Sequence, residues 1–138
     1  NLQAAILDYR LPRYGRSIAR RREIAARYHE CLRDLDQLLL PPGPDLGNDA
    51  RHFDVFQNYE IEAASRQGLR DFLNARGIGT LIPWGGKAVH QWEGLGFQVR
   101  LPYTEKLFER LLLLPMNTAL SDDDIDCIAD TVRTFYRR

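Results

Sequence analysis

Arg76-Gly77-Ile78-Gly79-Thr80-Leu81-Ile82-Pro83-Trp84-Gly85-Gly86-Lys87-Ala88-Val89-His90-Gln91-Trp92-Glu93 contains the change of state around which the chain is organised. Up to Gly77 the pattern is the end of an amphipathic helix, with Leu69, Phe72 and Leu73 on its buried face. Gly77 stands where a helix end wants a left-handed residue. Ile78 to Ile82 then reads as a short buried strand. Pro83, Trp84, Gly85 and Gly86 form a loop, and Lys87, His90 and Trp92 follow. Ionisable, aromatic and glycine residues concentrate here without an obvious packing reason.

Working outward, Phe53, Val55, Tyr59 and Ile61 alternate with Asp54, Asn58, Glu60 and Glu62, which predicts a strand with one buried face. His52 precedes it, as a structural residue or a functional one. Ser65 is a plausible N-cap for the helix before Gly77, and Gly68 is a blemish inside that helix. Toward the N-terminus, Leu2, Ala5, Ile6 and Tyr9 have helical spacing. Pro12 predicts a kink, or a new helix with the proline in its first turn. Ile24, Tyr28, Cys31 and Leu35 give one apolar stripe running to about Asp36. Leu38-Leu39-Leu40 leads into the stiff connection Pro41-Pro42-Gly43-Pro44.

Toward the C-terminus, Leu101-Pro102 starts a helix with Leu107, Phe108, Leu111 and Leu112 inward. Leu111 to Leu114, stopped by Pro115, is either the end of that helix or a short strand. Ser121-Asp122-Asp123-Asp124 is a helix start, a capping serine with carboxylates at the positive end of the dipole. Capping accounts for this acidic run better than a metal does. Ile125, Ile128, Val132 and Phe135 form the last stripe. The mixture of elements, without a regular crossover rhythm, predicts an α+β fold: a small, mainly antiparallel sheet packed against helices, with a long kinked N-terminal helix.

The chain has 138 residues and zero formal net charge, enough for one domain and no argument for nucleic acid or an anionic membrane. No apolar run is long enough to span a bilayer, and no signal peptide is visible, so a cytoplasmic location is the default expectation. The N-terminal helices are rich in arginine, from Arg10 to Arg33. A solvated face, or one that meets acidic groups of a further domain, fits better than a nucleic-acid helix, because aromatics are not interleaved. Cys31 and Cys127 read as buried reduced thiols rather than a disulfide or ligand pair. The chain opens directly into a helical pattern, which suggests the tail of a longer protein.

No phosphate-binding glycine loop, Cys-x-x-Cys or His-Glu-x-x-His is present, and His29, His52 and His90 lack zinc-ligand spacing. The only lysines are Lys87 and Lys106. A Schiff-base lysine needs a setting that keeps its amine neutral. Lys106 falls on a charged helix face, and Lys87 reads as a binding group for a phosphate or carboxylate. Trp84, Lys87, His90 and Trp92 form a polar pocket in one reading. In the other they are a glycine turn with tryptophans packed over the sheet.

Four stretches carry a family resemblance: Leu2-Gln3-Ala4-Ala5-Ile6-Leu7, Arg21-Arg22-Glu23-Ile24-Ala25-Ala26-Arg27-Tyr28, Leu73-Asn74-Ala75-Arg76-Gly77-Ile78-Gly79-Thr80, and Leu114-Pro115-Met116-Asn117 followed by Leu120-Ser121-Asp122. In this order they resemble the C-terminal portion of the DegT/StrS sugar-nucleotide aminotransferases. The resemblance implies a fold type I homodimer that uses pyridoxal phosphate to move an amino group, typically from glutamate, to a nucleotide-linked keto-sugar. Residues 1–138 would be the small C-terminal domain, closing the sugar side of the active site. The cofactor and its lysine would belong to a large domain outside this chain, which alone should be inactive, with no catalytic, cofactor or metal residue of its own. Many members read His-Tyr-x-x-x-x-His after Gly-Ile-x-Thr. Here Pro83-Trp84 replaces His-Tyr, and only His90 matches the closing histidine. His90, with Lys87 and Trp84, is therefore the expected substrate-binding set. Some relatives of this fold are dehydratases, and the deciding position lies outside this chain. A stand-alone, non-catalytic binding or dimerisation module built on the same scaffold is the alternative. An exposed apolar face, with self-association, is expected of the domain alone.

Overall fold

The computed structural model describes residues 1–44 and 53–137; His52 and Arg138 lie outside the described residues. The chain forms helix α1 (Leu2–Arg10), a single 3-10 turn at Leu11–Arg13, and helix α2 (Tyr14–Leu32). Pro12 sits in that turn, where its missing N–H costs nothing, so the long N-terminal helix breaks there as expected. Strands β1 (Leu38–Leu39) and β2 (Tyr59–Ala63) flank the undescribed segment. Helix α3 (Arg66–Asn74), three 3-10 turns between Pro83 and Leu95, helix α4 (Pro102–Arg110), strand β3 (Leu111–Leu114) and helix α5 (Asp122–Tyr136) complete the order.

The sheet order is β1-β2-β3 and both pairings are antiparallel, with Leu38 opposite Ala63 and Ile61 opposite Leu112. The fold class is therefore the expected α+β one. Tyr59, Ile61 and Ala63 of β2 turn inward with Leu112 and Leu114 of β3. They meet Ile24, Ala25, Tyr28 and Leu32 of α2, Leu69 and Leu73 of α3, and Ile125, Ile128 and Val132 of α5 in one core. The expected apolar stripe holds at Ile24, Tyr28 and Leu35 and differs at one place: Leu32 is fully buried and Cys31 only half-buried. Cys127 is exposed, so the reading of two buried thiols is wrong for that residue.

Leu111 to Leu114 is a strand, which resolves the ambiguity of the leucine run. Consequently α4 buries nothing fully, and Leu107 does not face the core. The expected strand from Phe53 shortens to Tyr59–Ala63. Phe56 takes a left-handed backbone (φ 48), the Asp54 carboxylate accepts its N–H at 2.7 Å, and Arg21 donates to the carbonyls of Phe56 and Gln57. This bend puts Phe56 in the core and leaves Phe53 exposed. Ile78–Ile82 is not a strand either. Leu81 exchanges both backbone hydrogen bonds with Leu113, an isolated bridge. In an antiparallel ladder the next bonded pairs would be Pro83 opposite Leu111 and Gly79 opposite Pro115. Each contains a proline without an N–H, so the ladder stops after one pair.

The helix ends follow their local chemistry. Gly77 is left-handed (φ 76), and the Ile78 N–H reaches back to the Leu73 carbonyl at 3.0 Å. Ser121 and Asp124 form a reciprocal capping box at the start of α5. Ser65 precedes α3 as expected, but it is itself left-handed (φ 58) and its side chain does not cap. Gly68 is a close-approach site: a Cβ there would lie 3.3 Å from the Phe135 ring.

The basic surface of α2 is largely satisfied within the chain. Arg20 and Arg27 both reach Asp122, Arg27 also clasps Asp126, and Arg133 of α5 clasps Asp34. The first turn of α5 is thus both a cap and a docking strip for α2. By contrast α1 buries no residue. Leu2, Ile6, Leu7 and Tyr9 are all exposed, as are Trp84, Leu95, Phe97 and Tyr103 on the other long segment. Among the described residues, no helix is long and apolar enough to cross a membrane.

Candidate functional site

The central loop is built by its backbone. Trp84, Gly85 and Gly86 have φ values of 53, 66 and 78, a run of left-handed residues that reverses the chain. The Lys87 N–H closes the turn on the Trp84 carbonyl at 3.4 Å. Gly86 also sits close to α3: a Cβ there would stand 3.1 Å from the Arg66 guanidinium, which would have to give way. A left-handed tryptophan costs roughly 1–3 kcal/mol. Its indole is 76% exposed, so packing does not repay that cost.

The tryptophans do not cover the sheet: Trp92 is 47% exposed as well, which removes the packed-turn reading of this loop. The Lys87 ammonium lies 5.9 Å from the centre of the Trp92 ring, within cation–π range. Ala88 is buried, and its N–H is held by the Gln91 side chain at 2.9 Å.

His90 behaves differently from its neighbours. Its side chain is 8% exposed, and Nε2 meets Glu105 Oε1 at 3.1 Å. The same carboxylate oxygen accepts the Leu101 N–H at 2.9 Å. Those two bonds, Leu101 first and His90 second, hold the Glu105 carboxyl below its ordinary value. Glu105 is therefore a carboxylate at neutral pH and accepts from His90. The imidazole carries its proton on Nε2, which leaves Nδ1 for another partner.

The structure thus joins Lys87 to Trp92 and His90 to Glu105, and leaves Trp84 projecting. Glu105 is the member that the residue pattern did not suggest. Its only signal was an acid in the first turn of the helix behind Pro102.

The DegT/DnrJ/EryC1/StrS aminotransferase family model matches residues 1–133. The chain belongs to this family. Among its relatives, the pleiotropic regulatory protein of Geobacillus stearothermophilus is 31% identical over 99% of this chain and 37% of its own length. The UDP-N-acetyl-3-dehydro-alpha-D-glucosamine 3-aminotransferase of Acidithiobacillus ferrooxidans is 34% identical over 96% of this chain and 34% of its own. A DegT/DnrJ/EryC1/StrS aminotransferase from Brucella abortus superposes with a TM-score of 0.83 at 33% identity, covering 99% of this chain and 35% of that one. The chain spans about a third of the length of these members of the family. Its fold is that of a portion of a fold type I sugar aminotransferase.

Pyridoxal phosphate, the cofactor of the DegT/DnrJ/EryC1/StrS enzymes, calls for a desolvated lysine amine and a carboxylate for the ring nitrogen. Lys87 and Lys106 are both exposed, and Lys87 lies over an exposed indole. Neither is a desolvated amine, so the described residues do not fit the cofactor by themselves. Also among the described residues, no group of three or more His, Cys, Asp or Glu is placed to hold a metal ion.

Proposed function

We propose that residues 1–138 are the small C-terminal domain of a pyridoxal-phosphate-dependent transaminase acting on a nucleotide-linked keto-sugar. The observation that carries the reading is the family match over residues 1–133, together with a span of about a third of the relatives' length. The cofactor and its lysine belong to the remaining part of such a protein. That assignment agrees with the poor fit of Lys87 and Lys106. The exposed apolar residues of α1 and of the stretch from Trp84 to Tyr103 supply a surface for that part to cover. The parent is a cytoplasmic homodimer that draws its amino group from glutamate, with neither nucleic acid nor a membrane among its partners.

In this reading the central loop closes the sugar side of the active site. His90 offers Nδ1 to a sugar hydroxyl, held in orientation by Glu105. Lys87 offers a positive charge, and Trp84 a flat face for the ring. The 138 residues alone neither bind the cofactor nor transaminate.

The test is steady-state kinetics of the full-length parent with a nucleotide keto-sugar and glutamate. His90→Ala is expected to lower kcat/KM roughly tenfold, the loss of one hydrogen bond of about 1.4 kcal/mol. An unchanged kcat/KM removes His90 from the site. A visible absorbance band on mixing the 138-residue chain alone with pyridoxal phosphate would overturn the assignment of the cofactor to another part.

A further inference from the structure

The turn that carries Trp84 and Lys87 is weakly tied to the rest of the chain. Before it, Leu81 exchanges backbone hydrogen bonds with Leu113. After it, His90 is fixed on Glu105. Between these anchors, among the described residues, Pro83 to Lys87 make no hydrogen bond outside the turn itself, and the bond that closes it on Lys87 is long at 3.4 Å. Two glycines and a left-handed tryptophan do not hold such a shape unaided; strained backbone persists only where its surroundings impose it.

The surroundings supply one arginine. Arg66, the first residue of α3, reaches across to the last turn of α4, where Nη1 donates to the Phe108 carbonyl. Carbonyls in a last helical turn lack partners within the helix, and a cation there also suits the helix dipole. The same guanidinium lies against Gly86: Nη1 and Nη2 stand 3.1 and 3.4 Å from where a Cβ would be, with the Ile82 side chain at 3.4 Å beside them. Arg66 meets no carboxylate among the described residues, and its Nε is buried without a hydrogen-bond partner there. A methionine would fill the same space without burying an unpartnered N–H, so stability alone does not call for an arginine at this corner.

We propose that Arg66 is a positioning residue for the central loop. Its guanidinium, fixed on the Phe108 carbonyl, is the wall that sets the Gly85–Gly86 turn and so places Trp84 and Lys87. Its consequence for the sugar rests on the function proposed above for this loop.

The experiment is steady-state kinetics of the full-length parent, in which kcat/KM is read separately for the nucleotide keto-sugar and for glutamate. Arg66→Met is expected to lower kcat/KM for the keto-sugar about fivefold or more and to leave that for glutamate unchanged, with a smaller loss for Arg66→Lys. Arg76→Met removes a guanidinium latched on the Phe72 carbonyl just past the far end of α3, and is expected to leave both values unchanged. In a parent already carrying Trp84→Ala and Lys87→Ala, Arg66→Met is expected to cost less than about twofold more, because a residue that acts through those two side chains has nothing left to place. A full additional loss in that background, or an equal loss for glutamate, overturns the proposal. An unchanged value for Arg66→Met alone, beside a loss for the Trp84→Ala/Lys87→Ala parent, overturns the role of Arg66 and keeps the loop at the sugar. No loss in the Trp84→Ala/Lys87→Ala parent removes the loop from the sugar, and Arg66 with it.

Discussion

Arg27 and Asp126 meet in a parallel fork: Nε donates to Oδ1 and Nη2 to Oδ2, both at 2.6 Å. The third nitrogen of the guanidinium reaches Asp122 at 3.0 Å, so one arginine ties α2 to two turns of α5. Arg27→Lys keeps the charge and loses the planar fork. It is expected to lower Tm although the net charge is unchanged, and Arg27→Ala to lower it further, because Asp126 then loses its partner and Asp122 keeps only Arg20. Thermal melts at low and high salt check this. A Tm for Arg27→Lys equal to wild type would reduce the clasp to a point charge.

Acid sensitivity should be traceable to Asp34. The two-pronged contact from Arg133 is the main reason its carboxyl falls from 3.8 to about 2. A carboxylate held low in the folded state stabilises it fully above the unfolded pKa, and that contribution fades as pH falls through the folded one. Wild type is therefore expected to lose stability between about pH 4 and pH 2, and Asp34→Asn to lose less over that interval. Circular-dichroism melts at stepped pH measure the difference; identical slopes would refute the assignment.

Two buried tyrosines should respond oppositely to loss of their hydroxyls. Tyr28 is fully buried and donates to the Pro115 carbonyl at 2.9 Å. Tyr28→Phe orphans that acceptor and is expected to cost about 1–2 kcal/mol. The Tyr59 hydroxyl is buried without a hydrogen-bond partner among the described residues. Tyr59→Phe is expected to be neutral or stabilising. Chemical denaturation of the pair decides it, and equal losses would contradict the hydrogen-bond account.

Gly68 tests packing against propensity. Alanine in a helix gains about 1 kcal/mol over glycine. Here its Cβ would press on Phe135, whose ring is set edge-on to Tyr136 at 4.9 Å and tilted on Phe72 at 5.5 Å. The two effects roughly cancel, so Gly68→Ala should leave stability within about 1 kcal/mol, while Gly68→Leu should cost about 1–3 kcal/mol. A stabilising leucine would show that α3 and α5 separate freely.

What the residues revealed in advance divides along the range of the interaction. Pro12, Gly77 and Ser121 act within a turn or two of themselves, and each stands where its local chemistry places it. The alternation from Phe53 overstates the strand, because Phe56 is bent by Asp54 and latched by Arg21, a residue 35 positions away. Alternation carries no trace of that latch. The central loop was marked by its composition. The use of its histidine was not, because the partner of His90 lies 15 positions away on another helix. Gly68 reads as a flaw within its own helix, and its reason, the Phe135 ring, stands on another helix.

Pro83 and Pro115 have a bearing on how this chain behaves in a crowd. Four successive leucines on an outer strand would ordinarily invite a neighbouring molecule to add its own strand. On that flank Leu81 already occupies the Leu113 bonding position, with a proline one step away in each direction. On the opposite flank β1 lasts two residues before Pro41 and Pro42. Both rims are therefore unsuited to templating fibrils, and contacts between copies of this chain should form through side chains and not through shared backbone ladders.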